Sequence, residues 1–308
     1  AQNLFHEFYY GSLFNKIIFR LGFHFILRKI NKRLLEQAEV FNPDILLVFK
    51  GMEILPETLA QLKNRGVKLV NFNPDNPFIF SGRGSGNRYV RDSVSLFDLY
   101  FSYDASVVNV LTNEYKVHSR LLPFGFDLSD SEYSRISGLP EVMKSCFIGN
   151  YDHERLHFLN RLAFLGAEFD LYGSNWPLSA LHSNISYKGY VQGERLWENL
   201  SRYRVQLNLL RKHNCASHNM RTFEIAAAGG IQLAPYSSDH ILFFEPGKEI
   251  FIYRDADDCM SMINELLTAT DKDAHSFREN ARFRCVQSGY SYKNRVQEMV
   301  TYIHQLFN

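Results

Sequence analysis

Twice along this chain, apolar runs of strand length alternate with amphipathic stretches of helix length, a pattern that few architectures satisfy other than parallel sheets built from βαβ units. In the first series the runs fall at 44–50, 67–73, 99–103 and 117–122, with helical periodicity starting near Pro56, Asn87 and Ala105. A break at Pro123-Phe124-Gly125 continues through the serine-rich segment 127–140, which reads as a linker. The second series predicts strands at 144–150, 168–172, 185–189, 205–210, 230–234 and 249–253, and helices near 154–165, 194–202 and 221–228. From Asp255 onward the chain reads as helical, broken at Ser288-Gly289. The expected organisation is an α/β protein of two Rossmann-like domains, 1–138 and 139–288, followed by a closing helix within 289–308. A length of 308 residues suits two cores better than one.

Composition narrows the function. A formal charge of +1 gives no electrostatic basis for nucleic acid as a partner. Cys146, Cys215, Cys259 and Cys285 are scattered without zinc or disulfide spacing, so reduced thiols and a cytoplasmic setting are expected. No apolar run approaches the roughly 18 residues that a membrane span requires.

The most telling stretch is Ser217-His-Asn-Met-Arg-Thr-Phe-Glu-Ile-Ala-Ala-Ala-Gly-Gly230. It reads as a polar loop, a helix and a glycine stop. Arg221 stands in the first turn, where the helix dipole disfavours a cation unless an anion sits against the free N–H groups. Glu224 comes three residues later on the same face. Such a helix start can hold a diphosphate, with a carboxylate beside it for ribose hydroxyls. The plainer reading is a surface Arg–Glu pair on an amphipathic helix.

The chain beyond this helix extends the pattern with Gly229-Gly230, a short apolar strand, then Phe244, Gly247, Glu249 and Tyr253. This ordered string resembles the donor-binding half of GT-B glycosyltransferases, and most closely the spore-maturation (CgeB-type) group, with Arg221, Phe223, Glu224, Gly229, Gly230, Phe244, Gly247, Glu249 and Tyr253 in the signature places. The resemblance implies two Rossmann-like domains facing across a cleft, with the closing helix, around 292–307, crossing back to the first. It also implies a nucleotide-diphosphate-sugar donor as substrate, no cofactor, no metal, and transfer to a glycan, lipid-linked or protein acceptor. Many retaining GT-B enzymes carry a second glutamate eight positions before the one matched by Glu224; that position is Ala216 here, which leaves retention and inversion open. A nucleotide-sugar epimerase of the same architecture and a non-catalytic sugar-nucleotide-binding or coat-assembly protein are the alternatives.

Loops beyond the carboxyl ends of parallel strands are where such sheets bind ligands. That rule selects Gly149, Asn150 and Gly173 on the donor side, and the resemblance puts the nucleobase near the main chain of Tyr190. Ser217 or Asn219 is expected to cap the key helix. His213 and His218 invite a metal reading, but no third ligand has suitable spacing. In the first domain Asp75, held between Pro74 and Pro77 after a strand, is the candidate general base or else an Asx-type turn residue. Lys50 and Asp104 end neighbouring strands on the same side. Gly82-Arg83-Gly84-Ser85-Gly86 lacks the strand–turn placement of a dinucleotide fingerprint and reads as a loop. From 15 to 33, Lys16, Arg20, Arg28, Lys29, Lys32 and Arg33 interleave with apolar residues. This predicts either peripheral contact with anionic lipid or a helix packed on its own sheet with a solvated basic edge. The Phe/Tyr-rich start suggests an acceptor domain whose opening strand is missing.

Overall fold

The computed structural model describes residues 7–8, 10–15, 25–80, 85–211 and 216–307. It forms two compact units, Ala1–Pro123 with Glu298–Asn308, and Phe124–Gln297. The expectation of a missing opening strand concerns the chain's start, much of which lies outside the described residues.

In the first unit β1 (Ile45–Phe49), β2 (Lys68–Asn73), β3 (Leu99–Ser102) and β4 (Ser119–Leu121) make a parallel sheet in chain order. Their register runs Ile45 opposite Lys68 and Val70 opposite Leu99. Side chains alternate between two faces. Val48, Leu69 and Tyr100 pack with Leu59, Leu62, Val107 and Leu111 from the helices Pro56–Asn64 and Ala105–Asn113. Val70, Leu99 and Phe101 pack with Met299 and Ile303 from the helix Tyr292–His304. That helix begins among the residues of the second unit and ends among those of the first.

The second unit holds six parallel strands in the order β10-β9-β8-β5-β6-β7. They are β5 (Val142–Ile148), β6 (Phe169–Tyr172), β7 (Ile185–Gly189), β8 (Tyr203–Leu207), β9 (Gln232–Pro235) and β10 (Phe251–Tyr253). The chain lays down β5, β6 and β7 outward, then returns to place β8 on the other flank of β5, pairing Phe147 with Leu207. The order reverses between β5 and β8, and at such a switch point the carboxyl-end loops diverge to leave a crevice. A core of this unit runs from Leu159 and Leu162 through Leu171, Val205 and Leu233 to Ile263 and Leu266.

Three elements differ from the sequence reading. The serine-rich segment is no linker: Asp130–Ile136 is a helix with a Ser129/Glu132 capping box. Arg282 lies 3.4 Å over the Tyr133 ring and donates to Asp130, and Ser201 donates to the Ile136 carbonyl. These contacts tie 124–138 to the second unit, so the chain divides at Pro123 rather than at residue 138. Strand β8 starts at Tyr203, two residues before the expected 205, and takes in a buried arginine that an apolar run would not include: Arg204 is held by Glu141 at 2.7 Å and Asp271 at 2.9 Å. The polar turn after β9 begins a further helix, Ser238–Phe243, capped by Ser237.

Candidate functional site

The carboxyl ends of β5, β6 and β7 are stitched together by backbone bonds. Gly149 donates to Tyr172 O, Gly173 donates to Gly189 O, and Ser174 N donates to the Asn150 side chain at 3.0 Å. Gly173 has φ 141°, and a Cβ there would lie 1.9 Å from the Gly149 carbonyl oxygen. Only glycine lets the two loops close to this distance. The Gly149 carbonyl also accepts the Trp176 indole N–H at 2.9 Å. Tyr190, just beyond β7, is exposed, and its hydroxyl bonds Gln192.

The helix Met220–Ala227 starts where the sequence places it. Asn219 is the cap, accepting from Thr222 N at 3.1 Å. Its amide donates to Asn208 Oδ1 at 2.7 Å, and Asn208 donates to Thr222 Oγ1. Thr222 Oγ1 lies 3.1 Å from His240 Nε2, and His240 Nδ1 lies 2.9 Å from Pro235 O. A buried polar chain thus fixes the helix start against β8 and β9. At the other end Gly229, φ 69°, closes a Schellman motif: Gly230 N donates to Ile225 O and Gly229 N to Ala226 O. Ser217 is not the cap; its hydroxyl donates to Asp239 at 2.9 Å, and buried His218 shares that carboxylate.

Arg221 and Glu224 form an ion pair with side chains 24% and 13% exposed. Arg221 Nε reaches across to Ile148 O at 3.2 Å, on the carboxyl end of β5. Arg155, which the sequence reading missed, spans the switch point: one guanidinium nitrogen donates to Leu209 O at 2.8 Å and another to Asn150 O at 3.3 Å. Its Nε is buried without a partner among the described residues. Burial first, then the charge of Arg211, pushes the Arg155 guanidinium down to about 10, and Arg221 adds to the effect. The charges of Arg211 and Arg221 thus both bear on the buried Arg155, a field that an anion would relieve. A cavity of 430 Å³ beside them is lined by Arg155, Phe158, Leu209, Arg211, Tyr236 and Arg254. Tyr292 is another residue the motif did not reveal: burial and then the Glu224 carboxylate raise its phenol to about 12.

In the first unit Lys50 and Asp75 come together, Nζ to Oδ2 at 2.5 Å. Lys50 has φ 62°, a conformation that costs a non-glycine residue roughly 1–3 kcal/mol and tends to mark functional positions. The turn after β2 is made by Asp75's neighbours: Asn73 Oδ1 accepts Asp75 N, and Asn76 Oδ1 accepts Phe78 N. Asp104, grouped with them in the sequence, caps the helix Ala105–Asn113 instead, its buried carboxylate accepting from Ser106 N at 2.8 Å and Ser106 Oγ at 2.6 Å.

His213 and most of the glycine-rich loop, 81–84, lie outside the described residues. So does the middle of the basic stretch, 16–24; its described part begins the helix Phe25–Phe41, where Ile26, Leu27 and Ile30 are buried while Arg28, Lys29, Lys32 and Arg33 are exposed. Among the described residues no three His, Cys, Asp or Glu side chains converge as metal ligands, and no helix is long and apolar enough to cross a membrane.

Residues 154–301 match a family model described as glycosyl transferase-like. No curated protein matches the chain. Among solved structures, sucrose-phosphate synthase from Thermosynechococcus elongatus is similar with a TM-score of 0.70 at 14% identity, over 94% of this chain and 80% of that one. A UDP-forming α,α-trehalose-phosphate synthase from Burkholderia vietnamiensis gives 0.65 at 10%, over 92% and 78%. Anabaena HepE in complex with UDP-glucose gives 0.63 at 12%, over 91% and 82%. At these identities the likeness is one of fold, two parallel-sheet α/β units of GT-B type, and the glycosyl transferase-like match falls mostly on the second unit.

Proposed function

We propose that this protein is a glycosyltransferase that takes a sugar from a nucleotide-diphosphate donor held by its second unit and passes it to an acceptor served by the first. The observation that carries this reading is the pairing of Arg221 with Glu224 at a capped helix start, beside Arg155 and Arg211 at the switch point. The helix N–H groups and the arginines would offset the diphosphate charge, and Glu224 would take the ribose hydroxyls. Gly149, Asn150 and Gly173 would let backbone approach the nucleotide, and the main chain at Tyr190 would meet the base. On the acceptor side Asp75 is the proposed general base, with Lys50 as its partner. The likeness to the spore-maturation group rests on the motif residues from Arg221 to Tyr253 and belongs to this proposal. So does an acceptor at the cytoplasmic membrane face, suggested by the exposed row Arg28, Lys29, Lys32 and Arg33.

The test is a thermal-shift screen against UDP-, GDP-, ADP-, CMP- and dTDP-sugars. A donor at 100 times its Kd adds about 2.7 kcal/mol to stability. The stabilising donor is then incubated with and without candidate acceptors. Transfer only with acceptor supports the proposal; donor isomerised without acceptor would make the protein an epimerase, and binding without turnover a carrier or assembly protein.

A further inference from the structure

The helix His153–Phe164 buries Leu156, Leu159, Leu162 and Ala163 and turns its opposite face to solvent. His153 and His157, one turn apart, lie together on that outer face. Their Nε2 atoms are 3.2 Å apart and the ring centroids 4.4 Å. Two bare imidazole nitrogens facing each other repel, and one proton between them gives an ordinary hydrogen bond. A divalent ion that binds imidazole at about 2.0–2.1 Å would meet both nitrogens at 3.2 Å with an angle of about 100° at the metal, between the octahedral right angle and the tetrahedral value.

We propose that His153 and His157 form a surface chelate for a borderline divalent cation such as Zn²⁺, Ni²⁺ or Cu²⁺, with water completing the coordination. The segment reads His-Glu-Arg-Leu-His, the spacing that puts two histidines on one helix face in helical zinc sites. A metalloprotease centre needs a third protein ligand, and among the described residues none converges here. The site is separate from the proposed donor residues: Arg155 is two positions from each histidine, about 200° around the helix. Because the chelate requires the folded first turn, the ion binds the native state in preference to the unfolded chain. Nitrogen donors select these cations over Mg²⁺ and Ca²⁺, which require oxygen.

The test is calorimetric titration of the untagged protein with Zn²⁺ and, separately, Mg²⁺, alongside His153→Ala, His157→Ala and the double variant. Both side chains are exposed, so melting temperature without metal should not move. The expected result is one Zn²⁺ equivalent per chain, a raised melting temperature with Zn²⁺, no response to Mg²⁺, and loss of the equivalent in either single variant as fully as in the double one. Absence of Zn²⁺ binding, an equivalent that survives the double substitution, or half-loss in each single variant would each overturn the chelate.

Discussion

At the residue scale, Arg221 and Glu224 have different jobs in the proposed site, and substitution can separate them. Among the described residues Glu224 is the acid paired with Arg221, and it lies one helical turn inside the start. If it holds the ribose through charge-assisted hydrogen bonds of about 1.5–3 kcal/mol, Glu224→Ala should weaken nucleotide binding roughly ten- to hundredfold, for nucleoside and nucleoside diphosphate alike. Calorimetry with both ligands measures this, and unchanged affinity would remove Glu224 from the site. Arg221→Ala should instead cost the nucleoside diphosphate far more than the nucleoside, because the phosphates are what the guanidinium recognises. Equal losses would assign the arginine to holding its helix on the Ile148 carbonyl.

At the element scale, the start of the helix Met220–Ala227 depends on a neutral histidine. His240 donates at one nitrogen and accepts at the other only if its Nδ1 carries the proton, toward Pro235 O, while Nε2 receives the Thr222 hydroxyl. Burial pushes this imidazole down to about 4 from an ordinary 6.5. Between those values the unfolded chain binds a proton that the native state refuses, so stability rises with pH. The contribution is complete above about pH 6.5 and is lost as pH falls to about 4, on the order of a few kcal/mol. His240→Gln keeps a donor and an acceptor but cannot titrate, so its unfolding free energy should fall less than the wild type's over that window. Parallel acid limbs in urea titrations would show that His240 does not govern this element.

At the scale of the whole molecule, both parallel sheets were legible because short, largely apolar runs bounded by turn signals alternate with helical patterns, while the division between units was not. The helix Asp130–Ile136 is short and polar, and it is held by Arg282, about 150 residues further on, a contact that no local pattern announces. The site shows the same contrast. Arg221 and Glu224 could be read from one helix, whereas the meaning of Arg155 arises only when β8 comes to lie beside β5. Asp104 looked equivalent to Asp75 by position after a strand, yet one became a helix cap and the other an ion-pair partner.

Division of labour between the two units gives the last prediction. Asn73 and Asn76 form the turn around Asp75, so its carboxylate is not required for the backbone there and is left to Lys50. Asp75→Asn should therefore preserve the turn, cost only the part-exposed ion pair, and leave melting temperature and donor affinity close to wild type. An amide cannot accept the proton of an acceptor hydroxyl. If the first unit supplies the base, transfer to the acceptor should fall about 10²–10⁴-fold while the donor is bound as before. Transfer at near wild-type rate would return Asp75 to a structural role and move the search for the base to other groups of the first unit, beginning with Glu53, whose carboxyl is raised by burial and lies within the field of Lys50.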